Sequence, residues 1–236
     1  IEPPGAAGWQ DLRASLGSIR SYVLAHEAMA RPAAPSENGI LDPDGANLAA
    51  VLARMSERHP ESYRALVAEM LRILPEFRAL EFVPDGGNIA FGLHLEENGV
   101  VPAAELSQGM LYLLGMLALA FDPQPPRVLC IEEVDRGIHP RKLREIRDAL
   151  YRLSYPEAFG AKHPPVQLVV TSHSPYFIDL FREHPEEIVI ADKHGRAAHF
   201  SRLADRTDLP ELLREGSLGD MWFSGILGGV PEERKG

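Results

Sequence analysis

Arg127-Val-Leu-Cys-Ile-Glu132-Glu133 is an apolar run that ends abruptly in two adjacent carboxylates. Continuous apolar character from Val128 to Ile131 fits a parallel strand covered on both faces. Two unpartnered carboxylates buried beside it would cost several kcal/mol each, so Glu132 and Glu133 belong at the exposed end of the strand. In open parallel sheets ligands bind in the crevice outside the carboxyl ends of the strands. At such a place one carboxylate can hold Mg²⁺ directly or through water, and a second can orient water towards a phosphoryl centre. The same string also reads as a strand followed by an acidic, solvated turn.

Working outward, a second strand, Val166 to Thr171, runs into Ser172-His173-Ser174-Pro175. Ser174 suits a helix cap and Pro175 its first position. His173 then belongs on the same rim as Glu133, where an imidazole can donate to a phosphate oxygen; a structural loop histidine is the plain alternative. Upstream, Leu106-Ser107-Gln108-Gly109-Met110 precedes a helix that is apolar nearly all round, from 107 to 121, and is therefore expected to be buried. Ser107 is a credible cap, Gly109 permits close approach of backbone to a ligand, and a helix N-terminus favours an anion. By itself this string is also an ordinary helix start.

The remaining text organises the chain into three parts. Residues 1–40 are an N-terminal segment with a short strand near Ile19 to Leu24. Residues 41–104 are a helical and hairpin side lobe, and 105–236 form the core that carries the motifs. In the lobe, Asn47 is placed to cap a helix through Leu48 and Met55, and Pro60 opens a second helix to Leu74. Strands Leu80 to Val83 and Ile89 to Leu95 flank Asp85-Gly86-Gly87-Asn88, a hairpin turn. In the core, strand 128–131, a helix from Pro140 to about Leu153, strand 166–171, helix 176–181 and a strand near Glu187 to Ala191 give a βαβαβ rhythm. That rhythm predicts an α/β fold with a parallel sheet flanked by helices. Leu209 to Leu213 and Trp222-Phe223 read as terminal packing elements.

Composition narrows the function. With 236 residues, 45% of them apolar, the chain can bury a proper core. Its one cysteine, Cys130, excludes an internal disulfide and a cysteine-built zinc site, which fits a reducing cytoplasm. No run approaches the roughly 20 apolar residues needed to cross a bilayer, so no membrane insertion is expected. A formal charge of −10 argues against strong electrostatic binding of nucleic acid by this segment.

The order of parts carries a resemblance. A glycine-bearing helix start, an apolar strand with two acids and a strand with Ser-His follow one another as in the C-terminal half of ABC-class ATPases. Leu106 to Met110 resembles the LSGGQ signature, Glu132-Glu133 the end of Walker B, and His173 the switch histidine. Glu132 to Pro140, with His139-Pro140, and Thr171 to Pro175 look like the AAA-type branch related to recombination-repair and chromosome-maintenance ATPases and to the overcoming-lysogenization-defect proteins.

The resemblance implies a P-loop NTPase-like head that hydrolyses ATP with Mg²⁺. Glu133 would polarise the attacking water, Glu132 would support Mg²⁺ in place of the usual Asp, and His173 would contact the γ-phosphate. Ser107, Gln108 and Gly109 would meet ATP held by the opposite subunit of a homodimer, and Arg136 to His139 would form the loop that signals between the two sites. Gln108 and Met110 depart from LSGGQ, and His139 stands where transporter-type heads have Asp.

One part is absent from the sequence. A phosphate loop needs Gly-Lys-Ser/Thr, and none of Lys142, Lys162, Lys193 and Lys235 follows a glycine. Ile1 is no natural start, so an N-terminal ATPase segment with the phosphate loop is the expected partner, and this chain by itself is expected to be inactive. DNA repair, recombination, phage defence and service to a nuclease remain open as roles, with an ATP-gated clamp or sensor as the alternative to an enzyme.

Overall fold

The computed structural model describes residues 9, 12–13, 16–96 and 99–229. They form two compact units that divide between Thr171 and Ser172.

The first unit is built on a three-stranded parallel sheet in the order β1 (Ile19–Tyr22), β5 (Val128–Ile131), β6 (Gln167–Val170). Between β1 and β5 the chain makes α1 (His26–Met29), α2 (Leu48–Arg58), α3 (Pro60–Ile73), the antiparallel sheet β2 (Phe77–Asp85), β3 (Asn88–Leu95), β4 (Val100–Pro102), and α4 (Gln108–Ala120). After β5 comes α5 (Leu143–Ser154). The parallel registers align Ile19 with Val128 and Gln167, and Ser21 with Cys130 and Val169. Because side chains alternate across a strand, these six share one sheet face, and Tyr22, Leu129 and Ile131 point to the other. Tyr22, Leu129 and Ile131 are buried, whereas Ile19 is 44% and Val169 53% exposed. The expectation that β5 is covered on both faces is thus met on one face only.

α4 is buried along nearly its whole length, from Leu111 to Ala120, as its all-round apolar sequence requires. Burying each of its leucines contributes about 1.5–3 kcal/mol. α5 buries Leu143, Ile146, Ala149, Leu150 and Leu153 on one stripe and packs on α4. Its opening turn also grips the end of α3. Lys142 Nζ donates to the carbonyl of Ile73, and Arg72 bridges Glu69 and Glu145.

In the lobe, the β2–β3 hairpin turns at Gly86 and Gly87, both at positive φ (56° and 91°), as a tight hairpin demands. β2 starts at Phe77, three residues before the expected strand, and β4 is an addition. Asn47 does not cap α2 with its side chain. Instead its Oδ1 accepts from Asp42 N–H at 2.8 Å and its Nδ2 donates to Ile40 O at 2.8 Å, closing the preceding turn.

The second unit contains α6 (Pro175–Ile178), β7 (Val189–His194), β8 (Ala197–Arg202), α7 (Leu209–Glu215) and α8 (Leu218–Phe223). Its core is Ile190, Leu203, Leu209, Leu218, Met221 and Leu227. The strand expected near 187–191 does not extend the parallel sheet. It pairs antiparallel with β8. The reason is local: Gly195, at φ 63°, turns the chain within two residues, too short for the crossover a parallel neighbour requires.

Candidate functional site

The acids sit where the end of β5 meets its neighbours. Glu132 N–H donates to Tyr22 O at 3.0 Å, and Thr171 N–H donates to Ile131 O at 3.0 Å, so the ladders of β1 and β6 run to the very rim. Glu132 is exposed. Glu133 has φ 49°, and among the described residues it is the one non-glycine residue at positive φ. The left-handed region costs an L-residue roughly 1–2 kcal/mol and persists only where surroundings over-determine it. Here Thr171 supplies that constraint twice. Its Oγ1 accepts from Glu133 N–H at 2.9 Å, and its carbonyl accepts from Val134 N–H at 3.0 Å. The bend throws the Glu133 side chain outward, half-exposed, with Arg136 Nε 3.6 Å from its Oε2.

The loop beyond folds back as consecutive turns, Arg136 N–H to Glu133 O at 2.9 Å and Ile138 N–H to Asp135 O at 3.1 Å. His139 ends it: its Nδ1 accepts from Arg141 N–H at 3.2 Å, which leaves Nε2 to carry the proton of the neutral ring.

The start of α4 touches this loop. Ser107 caps the helix, its Oγ accepting from Met110 N–H at 3.4 Å. A Cβ placed on Gly109 would lie 2.6 Å from Gly137 O, and one on Gly137, at φ 69°, would lie 2.7 Å from the Gln108 side chain. Ser107, Gln108, Gly109, Glu133, Arg136 and Gly137 therefore belong to one continuous neighbourhood. Tyr112, one turn further along α4, is part of it and was not singled out from the sequence. Burial pushes its phenol above the ordinary value of 10.0; the nearby Arg136 charge and the Gln108 side chain oppose that rise, and Glu133 reinforces it. Its hydroxyl donates to the carbonyl of Leu24. The signal for it was a lone hydroxyl within an otherwise apolar helix.

His173 is exposed and belongs to the second unit, whose chain opens Ser172-His173-Ser174. Ser174 caps α6 as expected, accepting from Phe177 N–H at 3.2 Å, and Ser172 Oγ accepts from Ser174 N–H at 3.0 Å.

Mg²⁺ keeps much of its water shell and takes one or two carboxylates together with phosphate oxygens. Exposed Glu132 fits that donor set. Among the described residues no group of three or more His, Cys, Asp and Glu side chains could hold a metal alone. The exposed Ser107 turn of α4 fits an anion through its unpaired N–H groups, but in this sequence no lysine follows a glycine to anchor a triphosphate. No helix among the described residues is long and apolar enough to cross a membrane.

Residues 12–179 match the family described as "AAA domain, putative AbiEii toxin, Type IV TA system", and the chain belongs to that family. No curated protein matches it. A solved chain from "Structural biochemistry of ATP-driven dimerization and DNA stimulated activation of SMC ATPases" is similar over 70% of this chain and 99% of its own, with TM-score 0.48 and 11% identity.

Proposed function

We propose that this AAA domain supplies the water-activating and signature parts of an ABC-class ATPase that hydrolyses ATP. The observation that carries the reading is the backbone of Glu133, held at φ 49° at the end of the central strand by two hydrogen bonds that Thr171 accepts, from Glu133 N–H and from Val134 N–H. Strain at an exposed carboxylate is retained where position matters more than stability. In this reading Glu133 orients and polarises water towards the γ-phosphate, and Arg136, with Nε 3.6 Å from its Oε2, directs the carboxylate. Glu132 supports Mg²⁺, which when bound neutralises charge on the phosphate oxygens. His173, two residues beyond Thr171 in the sequence, donates to the γ-phosphate.

Ser107, Gln108 and the Gly109 amide meet the nucleotide of a second copy, so the site is composite across a homodimer. Contact between the Gly109 turn and the Gly137 loop gives Arg136 to His139 a route for signalling between the two sites. The phosphate loop comes from an N-terminal ATPase segment. The family's toxin–antitoxin label accords with phage defence, beside DNA repair, recombination and service to a nuclease as the work driven.

Glu133→Gln in the protein assembled with its phosphate loop tests the reading. Turnover should fall by at least about 10²-fold, in line with loss of a positioned general base, while ATP holds the dimer together. Unchanged turnover would remove Glu133 from the chemistry. Loss of turnover with full biological function would instead identify an ATP-gated clamp. The 236-residue chain by itself should show no stoichiometric ATP binding by calorimetry.

A further inference from the structure

The outward face of α5 is not the plainly polar face of an ordinary surface helix. Opposite its buried leucine stripe, with 3.6 residues per turn, Arg144, Asp148, Tyr151 and Tyr155 fall on one line at i, i+4, i+7 and i+11. The two tyrosine rings meet edge to face, with 5.3 Å between centroids and 88° between planes. The Arg147 guanidinium lies 5.6 Å from the Tyr151 centroid, and Asp148 holds it at 2.7 Å. Arg147 and both rings are thus fixed in the free chain, yet Tyr155 leaves 51% of its surface exposed. Towards the start of the helix Arg141 and Arg144 are exposed, and among the described residues neither side chain has a hydrogen-bond or ion-pair partner. Residues 136–152 hold six Lys and Arg against two acids, in a chain of formal charge −10. The sign of this surface is therefore opposite to that of the chain as a whole.

We infer that this face of α5 docks a partner protein through an acidic segment that carries an apolar side chain beside its carboxylates. The carboxylates pair with Arg141 and Arg144, and the apolar side chain packs against Tyr151 and Tyr155. Arginine and tyrosine are the residue types that dominate the energetic centres of protein interfaces, and groups already fixed before binding give up little freedom when covered. Charge selects the occupant. A second copy seated face to face would set like charges against one another. A nucleic acid needs many phosphates neutralised, and Arg141 and Arg144 on a chain of formal charge −10 neutralise few. The surface shares no residue with the Ser107 turn or with Glu133, so docking there is independent of ATP hydrolysis.

A photo-crosslinking phenylalanine derivative at Tyr155, in the full-length protein in its own cells, tests the docking. The position is exposed, so the fold accommodates it. The expected adduct is a peptide of another protein with carboxylates beside an apolar residue, and Arg144→Glu should abolish it. That peptide, synthesised with a fluorescent label, should bind the full-length protein at least about tenfold more weakly after Arg144→Glu, and likewise after Tyr155→Ala, by anisotropy. Exchange of its facing carboxylates for Lys should restore binding to the Arg144→Glu variant, which a merely misfolded variant could not show. An adduct within the same polypeptide, with a second copy or with nucleic acid, or no adduct at all, would each overturn the inference. So would an acidic peptide whose affinity neither substitution changes. Glu133→Gln should leave the adduct in place whatever it does to turnover, and loss of the adduct in that variant would remove the independence of the two surfaces.

Discussion

Gly109 and Gly137 meet backbone to backbone, with room for no Cβ between them: a methyl on Gly109 would stand 2.6 Å from the Gly137 carbonyl oxygen. Neither atom in that clash is the far end of a flexible side chain, so Gly109→Ala must shift the loop or the helix. It should cost about 1–3 kcal/mol, the usual range for forced overpacking, read as a lower urea midpoint at unchanged slope.

Gly137→Ala separates two causes. It meets the Gln108 side chain at 2.7 Å and also imposes a residue at φ 69°. The Gln108→Ala, Gly137→Ala double variant should recover the steric part and retain a backbone cost of about 1–2 kcal/mol. Full recovery in a double-mutant cycle would show that the turn itself carries no strain.

Glu133→Gly should trade function for stability. Relief of the left-handed backbone returns about 1–2 kcal/mol, and the greater freedom of glycine in the unfolded chain takes back about 0.4–1 kcal/mol. The variant should therefore be up to about 1.6 kcal/mol more stable by urea unfolding, with the proposed turnover of the assembled protein lost. A clear destabilisation would mean that φ 49° is relaxed in this setting.

Alkaline stability should report on Tyr112. Its folded pKa is raised above 10.0 by burial, so the folded state holds the proton more tightly than the unfolded chain. The stability this provides is complete below pH 10 and declines as pH rises through the unfolded value towards the folded one. Tyr22, raised for the same reason, adds to that decline. Urea midpoints measured across this range should fall less steeply for Tyr112→Phe. That variant should also lose about 0.5–1.5 kcal/mol at neutral pH with the hydrogen bond to Leu24.

The parts that were legible in the sequence are those whose cause is local. Gly86-Gly87 specifies its turn whatever surrounds it, Ser107 and Ser174 cap the helices they precede, and the all-round apolar character of α4 can only mean burial. Glu132 and Glu133 could be set at a strand end from the cost of burying them, but the left-handed backbone of Glu133 could not. It depends on Thr171, thirty-eight residues away. Gly109 showed its permissiveness without showing its partner, since the contact with Gly137 requires the whole helix and strand between them to be in place. Tyr112 was hidden because a helix apolar on every side does not disclose which side faces the loop. β8, exposed throughout, lacks the alternation that marks a half-buried strand, so β7 was assigned to the wrong sheet. Asn47 has the composition of a cap and spends both its hydrogen bonds on the turn before it.

The grip of Lys142 and Glu145 on the last turn of α3 has a mechanical consequence. Only two residues, Pro140 and Arg141, separate His139, which closes the acidic loop, from Lys142 of that clamp, leaving almost no slack between the two. A rotation of the lobe about its own axis would pull on the loop as a crank pulls on a short rod. The lobe and the carboxylates should thus be driven as a single linkage.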